Sequence, residues 1–435
     1  MLWPWRTRSR RSPAFDPGGR GANPVNLIKD AAERYGYILV ASNNSRNGAL
    51  KPEAEAAQAV WTDTHQRIAI DDKQVAFAGH SGGARLAAWV AQSCKCGHGL
   101  LLNGAGYPLA FPPTKETAIP IFAVVGMLDF NYAEMVELDT KLDSLRYPHF
   151  LRRWDGPHAW APAEVWDEAL AWLELTAIKQ GRRPSDANFV ATELARATDR
   201  ASKLEQSDST YFAWENYREA AATFAGLADT TALNDRAAAL AKLPAVRNGQ
   251  SNEKKETDER QSLLSDIERL AGGRADDPAG DFDAGELVGG NQRTVGSGAN
   301  PNTVKEDALR KIRQLRDELA KERDPERLRS LQRTQTGVAL FVADAGNTLM
   351  QMKQYPAART QFELAVATQP ERARSHVALA RSILAMGDRA EALRALERAR
   401  AAGVSASDLR DASRNVPEFD ALAGDPKFQQ LMETS

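Results

Sequence analysis

Short apolar runs alternate with helical patterns between residues 16 and 180, and this alternation constrains the fold more than any other feature of the chain. The runs are rich in Val, Ile, Leu and Phe with little polar alternation, as expected of strands that are covered on both faces. The segments between them carry apolar residues near a 3.6-residue period. The pattern predicts an α/β domain with a mostly parallel sheet. Its strands are expected at Tyr37–Ser42, Gln74–Gly79, Gly99–Asn103, Pro120–Gly126 and His149–Trp154.

The rest of the chain divides by composition. Residues 187–270 show helical patterns throughout and no strand candidate, and degenerate repeats are one interpretation of them. Residues 271–302 contain eight glycines and several aspartates, a composition that predicts a flexible linker because it cannot bury enough apolar surface. Residues 303–435 are again helical in pattern. We therefore expect an α/β domain at 15–182, a helical region, a linker and an all-α domain.

Residues 338–405 contain an internal repeat with a spacing of 34 residues. Small and aromatic positions in the first unit recur 34 residues later, where they would let paired helices approach closely. The matching positions are Gly346, Ala358, Phe362, Ala365 and Pro370 in the first unit, and Ala380, Ala392, Leu396 and Ala399 in the second. This pattern resembles a tetratricopeptide array, which would offer a surface for a protein partner. An ordinary Ala-rich helix bundle is the alternative.

Overall charge and cysteine content exclude several classes of function. Lysine and arginine (56) nearly balance aspartate and glutamate (58), so no global field favours nucleic acid or an anionic membrane. No stretch is long and apolar enough for a membrane span. Cys94 and Cys96 are too few and too close for a disulfide framework or a four-ligand zinc site, and we expect free thiols. The N-terminus has no apolar stretch of signal-peptide length, so the compartment stays open.

The sequence Gly79-His80-Ser81-Gly82-Gly83 follows an apolar run and precedes a helical pattern. A serine in such a strand, turn and helix setting projects its hydroxyl clear of the sheet, as a nucleophile requires. G-x-S-x-G alone occurs by chance in many proteins, and a glycine-rich helix start is the alternative. The setting favours Ser81 as a nucleophile.

A serine hydroxyl needs a base to take its proton and an acid to orient that base. Asp129 and His158 each follow a late strand candidate, in the chain order Ser, Asp, His. His158 lies in a Gly-Pro loop before the last helix of the domain, whereas the other five histidines do not follow a late strand in a loop. We predict His158 as the base and Asp129 as the acid. The nearby acids Asp139, Asp143 and Asp155 remain alternatives to Asp129.

An oxyanion hole requires two backbone N–H groups aimed at the developing negative charge. Gly82, the residue after the nucleophile, is expected to supply one of them. The glycine-rich loop at residues 16–21 is expected to supply the other through Gly18, Gly19 or Arg20. A phosphate-binding loop is the competing interpretation, but no Gly-Lys-Ser or Gly-Lys-Thr follows.

Together these motifs resemble the α/β-hydrolase family, in the branch of dienelactone hydrolases, polyhydroxyalkanoate depolymerases and feruloyl esterases. The resemblance covers residues 15 to about 180 and implies a serine esterase with a Ser81-His158-Asp129 triad. It implies an oxyanion hole at Gly82 with Gly18 and Gly19, a small-molecule ester as substrate, and no metal or cofactor. Transacylation or peptidase action would use the same triad.

The chain departs from this family before Phe15. The family has a central strand there, but residues 6–13 are rich in arginine and include Pro13, and proline is disfavoured in a central strand. We therefore expect the first strands to be missing and the chain to be truncated at its N-terminus. A catalytically impaired hydrolase domain in a tetratricopeptide scaffold is then the alternative function.

Overall fold

The computed structural model describes residues 9–48, 50–207, 209–270, 301–414 and 416–433. Most of the predicted linker, residues 271–300, lies outside them. The described residues divide into two compact units, one ending at Lys255 and the other starting at Glu256.

The first unit is built on a parallel six-stranded sheet in the order β2-β1-β3-β4-β5-β6. The predicted strands are confirmed to within a few residues at each end, apart from an extension of β3 toward its N-terminus. The strands are β1 (Ser9–Phe15), β2 (Tyr37–Ala41), β3 (Ile70–His80), β4 (Gly99–Asn103), β5 (Ile121–Leu128) and β6 (His149–Pro157).

Helices cover both faces of this sheet, because successive strand residues point to opposite sides. Phe77 joins the core that contains Leu86 and Met135, whereas Ala76 and Ala78 join the core that contains Trp166. The result is a three-layer α/β unit, as the apolar runs predict. The helices that flank the sheet are α1 (Ala22–Tyr35), α2 (Leu50–Arg67), α3 (Gly82–Cys94), α4 (Tyr132–Leu145) and α5 (Ala163–Lys179).

The expectation that the segment before Phe15 forms no strand is wrong. Strand β1 pairs with β2 on one side and β3 on the other, so the strand before Ser81 has a neighbour on each side. The arginines of β1 are tolerated because side chains from other elements contact their guanidinium groups. Arg10 binds Glu174 of α5 at 2.8 Å, and the guanidinium of buried Arg11 lies 4.5 Å from the ring centre of Trp61. Residues 6–8 lie outside the described part.

The two cysteines are joined by a disulfide at the C-terminal end of α3, which corrects the expectation of free thiols. Lys95 between them adopts a positive φ of 49°. This left-handed residue turns the chain so that neighbouring cysteines in the sequence can meet.

Three further helices belong wholly to the first unit, and a fourth begins in it. These added helices pack against α5 through a shared core, which contains Leu175 of α5 together with Val190 and Phe224. The four helices are α6 (Ala187–Gln206), α7 (Thr210–Phe224), α8 (Thr231–Leu240) and α9 (Pro244–Leu270).

The second unit is helical in all its longer elements, as the sequence predicts. Gly346 faces the ring of Phe362, where a side chain would collide. The repeat positions Ala358, Phe362, Ala365, Ala380, Ala392, Leu396 and Ala399 are all fully buried. Its helices are α10 (Pro301–Lys321), α11 (Pro325–Gln351), α12 (Tyr355–Thr368), α13 (Ala373–Ala385), α14 (Arg389–Ala401), α15 (Ala406–Ser413) and α16 (Pro426–Met432).

Candidate active site

The carboxyl ends of four neighbouring strands form one edge of the sheet, where ligands bind in parallel α/β folds. Ser81 follows β3, Gly104 follows β4, Asp129 follows β5 and His158 follows β6. Four segments that are far apart in the sequence therefore meet at one place. All three predicted triad residues lie at this edge.

The side chains of these three residues form a continuous hydrogen-bonded chain. The His158 Nε2 atom lies 2.9 Å from Ser81 Oγ, and the Nδ1 atom lies 2.8 Å from Asp129 Oδ1. Both distances are within hydrogen-bond range. This geometry allows proton transfer from the Ser81 hydroxyl to the imidazole, while the Asp129 carboxylate holds the far side of the ring.

The backbone at Ser81 has the sharp turn that the motif predicts. Its φ is 54° and its ψ is −127°, a conformation that costs energy for a residue with a Cβ. Gly79 lies so close to Gly83 that an added Cβ would collide with the Gly83 carbonyl oxygen. The glycines thus allow the strand and the helix to approach while the serine is held at the turn.

The carboxylate of Asp129 is completely buried. In addition to the imidazole, its Oδ1 atom accepts the N–H of Asn131 at 2.8 Å. The Asn131 side chain in turn donates to the carbonyl oxygen of Gly104 at 2.7 Å. These bonds fix the carboxylate relative to the ends of β4 and β5.

Aromatic rings surround the imidazole of His158. The ring of Phe130 lies 4.1 Å from it and that of His80 lies 4.7 Å from it, measured between ring centres. Burial lowers the pKa of His80 to about 3, with a smaller contribution from His158. His80 is therefore a neutral packing partner and does not compete as a base.

The glycine-rich loop at residues 16–21 is organised by the buried carboxylate of Asp16. The N–H groups of Gly18 and Arg20 donate to its Oδ1 atom at 2.9 and 3.1 Å. The N–H of Gly19 donates to the Asp16 carbonyl oxygen at 3.0 Å. The expectation that these N–H groups face a substrate is therefore not met in this conformation, because the loop binds them itself.

Gly82 occupies the position expected for the other oxyanion donor. It is the first residue of α3, and N–H groups in the first turn of a helix have no partner within that helix. Its N–H therefore remains a candidate donor to a substrate oxygen.

Asp16 is a site residue that the sequence analysis missed. Its Oδ2 atom accepts the indole N–H of Trp160 at 2.8 Å and the amide of Asn23 at 3.1 Å. Burial would raise the pKa of Asp16, but the hydrogen bonds from Trp160, Arg20, Gly18 and Asn23 lower it below its ordinary value. The loop carrying His158 is thereby tied to the glycine-rich loop. The Asp-Pro-Gly sequence of a turn was the only available signal.

In the part of the chain that the structure describes, no cluster of three or more His, Cys, Asp or Glu side chains could hold a metal ion. None of the helices described is both long and apolar enough to cross a membrane.

No protein-family model matches the chain, and no curated protein matches it. Several solved structures are similar to part of this chain. S-formylglutathione hydrolase from Staphylococcus aureus is 12% identical, with a TM-score of 0.32, over 38% of this chain and 82% of that one. An esterase from Pyrobaculum calidifontis is 13% identical, with a TM-score of 0.31, over 39% of this chain and 78% of that one.

A ferulic acid esterase is also similar, at 17% identity and a TM-score of 0.31, over 38% of this chain and 83% of that one. These three solved structures are thus those of esterases and a related hydrolase.

Proposed function

We propose that the α/β domain is a serine hydrolase that cleaves carboxylic esters through an acyl-enzyme. The observation that carries this proposal is the chain of hydrogen bonds from Ser81 Oγ through His158 to Asp129. A strained serine at the turn between a strand and a helix supports it independently.

In the proposed reaction, Ser81 Oγ attacks the ester carbonyl carbon while His158 Nε2 takes the hydroxyl proton. The tetrahedral intermediate collapses as the imidazolium gives that proton to the leaving alcohol. A water molecule then attacks the acyl carbon while His158 Nε2 takes a proton from it. The bond from that carbon to Ser81 Oγ breaks as the imidazolium returns the proton to Oγ, and the carboxylic acid is released. Asp129 keeps a proton on Nδ1 of His158, so that Nε2 of the same ring is free to accept the serine proton. Its negative charge also stabilises the imidazolium that forms. The N–H of Gly82 would bind the developing oxyanion.

A fluorophosphonate probe tests this proposal directly, because an activated serine displaces fluoride from it and becomes covalently attached to phosphorus. We expect the full chain to be labelled and the Ser81→Ala variant not to be. A folded sample that resists labelling would contradict the proposal.

The choice of acid is tested by Asp129→Asn. We expect turnover of an activated ester to fall by about 10⁴-fold, because the imidazole would adopt the wrong tautomer. Asp155→Asn changes an exposed acid nearby and should leave turnover unchanged. The reverse pattern would assign the acid to Asp155.

An inactive hydrolase domain within a scaffold protein is the second candidate. It is favoured by the loop in which the N–H groups of Gly18 and Gly19 donate to Asp16 instead of facing outward. The fluorophosphonate experiment separates the two candidates, since a scaffold without an active serine would remain unlabelled when folded.

We further propose that the second unit is a tetratricopeptide-like module that binds a protein partner. Support comes from the 34-residue repeat, whose small and aromatic positions are buried between helices.

The enzyme would belong to the branch that includes feruloyl esterases and dienelactone hydrolases.

A further inference from the structure

Asn103 is the last residue of β4 and is completely buried. Both ends of its side-chain amide bind the loop that carries His158. The Oδ1 atom accepts the N–H of Ala161 at 2.8 Å, and the Nδ2 atom donates to the carbonyl oxygen of Ala159 at 3.0 Å. Ala159 directly follows His158, so the amide holds the loop immediately beside the imidazole.

The same residue also binds the turn that carries the serine. Its carbonyl oxygen accepts the N–H of Ser81 at 2.8 Å. Its Nδ2 atom lies 3.1 Å from the Nδ1 atom of His80, the residue before the serine. Asn103 therefore contacts the backbone next to both members of the Ser81–His158 hydrogen bond.

The asparagine amide satisfies both side-chain contacts at neutral pH. The Ala161 N–H needs an acceptor and the Ala159 carbonyl needs a donor, and asparagine supplies one of each. A carboxylate would place an oxygen against the carbonyl oxygen of Ala159, so that two acceptors would face each other without a hydrogen between them. An apolar side chain would leave both buried backbone groups without their partner, which is unfavourable.

We propose that Asn103 is a positioning residue that sets the separation between Ser81 Oγ and His158 Nε2 by clamping the two loops to the end of β4. This inference rests on the proposed serine hydrolase function. Asn103 does not touch the reacting atoms, and it acts through the backbone on either side of them.

The test compares Asn103→Leu with Asn216→Leu in the full chain. Asn216 is a matched control, because its amide makes the same two kinds of hydrogen bond within the added helices. Its oxygen accepts a side-chain N–H of Arg200, and its nitrogen donates to the carbonyl oxygen of Phe212. We expect Asn103→Leu to lower kcat for an activated ester by about 10²-fold, since small misplacements of catalytic groups have such effects. KM should change by less than about twofold, and Asn216→Leu should retain wild-type kcat.

A second variant, Asn103→Asp, gives a signature that a purely structural role would not produce. A protonated carboxyl can donate to Ala159 and accept from Ala161, whereas the ionised form cannot donate. The ratio of variant to wild-type labelling should therefore fall as the pH rises and this carboxyl ionises.

The outcomes separate the two proposals. If the wild type is not labelled, or Ser81→Ala is labelled equally, the proposed function fails. If the wild type is labelled and folded Asn103→Leu has wild-type kcat, the positioning role is overturned. If Asn103→Leu does not fold, Asn103→Asp decides, and a ratio independent of pH overturns the inference.

Discussion

Gly104 limits the space at the centre of the candidate site. Its φ is 65°, and an added Cβ would lie 2.9 Å from Asp129 Oδ2, 3.2 Å from His80 Cε1 and 3.3 Å from His158 Cε1. We expect Gly104→Ala to displace the carboxylate or the imidazole and to lower kcat for an activated ester by about 10²-fold.

The matched control for this change is Gly181→Ala. Gly181 also has a positive φ, 68°, but nothing lies within 4 Å of an added Cβ. It should show a similar backbone strain and wild-type kcat. Equal kcat in the two variants would contradict the crowding argument.

At the scale of single elements, His149 connects the start of β6 to α4. Its Nε2 atom lies 3.2 Å from Asp139 and 3.7 Å from Asp143. Burial by itself lowers the pKa of His149. The hydrogen bonds to Asp139 and to the Tyr147 carbonyl oxygen, together with the negative charges of Asp139 and Asp143, outweigh burial and raise this pKa to about 9. The folded protein therefore binds this proton more tightly than the unfolded chain, in which a histidine pKa is about 6.5.

The contribution of His149 to the free energy of unfolding should be complete below about pH 6.5 and lost as the pH rises through about 9. The shift corresponds to about 3 kcal/mol. Urea unfolding of wild type and His149→Gln at pH 6 and pH 9.5 measures it. The difference between the two proteins should shrink at the higher pH, and Asp139→Asn should reduce the same pH-dependent part. A difference that is equal at both pH values would refute the assignment.

Arg153 of β6 connects the sheet to the added helices. It is buried and forms an ion pair with Glu215 of α7 at 2.7 Å and with Glu253 of α9 at 3.3 Å. Its Nε atom also donates to the hydroxyl of Tyr132, the first residue of α4, at 2.8 Å. The added helices are thus joined to the same segment that carries Asp129.

Arg153→Met should lower the free energy of unfolding by about 3–5 kcal/mol, because buried Glu215 loses its cation. Arg67→Met, which removes a cation from an exposed pair with Asp63, should cost less than about 1 kcal/mol. Adding Glu215→Gln to Arg153→Met should restore part of the loss. Equal stability of the two single variants, measured by urea unfolding, would disprove this role.

At the scale of the whole molecule, α6, α7 and α8 complete the unit that contains the sheet. They bury Leu175, and the indole N–H of Trp172 donates to Thr223 at 3.2 Å. A chain ending at residue 182 would expose this face of α5. We expect it to bind a hydrophobic dye and to lose its near-ultraviolet circular dichroism, whereas a chain ending at residue 255, where the first unit ends, should keep the near-ultraviolet spectrum of a packed core. A shorter chain that melts at the same temperature as the longer one would refute this expectation.

Much of the α/β unit can be predicted from local patterns. The predicted and observed bounds of β4, Gly99–Asn103, are identical. Strand β3 begins at Ile70 instead of Gln74, because Asp71, Asp72 and Lys73 interrupt the apolar run without ending the strand. The apolar pattern therefore underestimates the length of β3, because it misses the residues at which the strand leaves the core.

The candidate site was predictable where its chemistry lies in short motifs. Ser81, Asp129 and His158 could be selected from their strand ends, and the structure brings their side chains together. Asn103 gave no such signal, since an asparagine at the end of a strand is unremarkable until the loop that it binds is in place.

The sequence by itself determined the layered α/β architecture, the turn at Ser81 and the helical second unit, because each depends on periodicity or on a few adjacent residues. Tertiary structure decided that an arginine-rich segment joins the sheet, that Asp16 binds the N–H groups of its own loop, and that Asn103 connects two loops. The arginines of β1 and the amide of Asn103 depend on partners 50 or more residues away. The carboxylate of Asp16 is held in part by Trp160, 144 residues away. Burying these polar groups is favourable only when those partners arrive, and local sequence patterns do not carry that information.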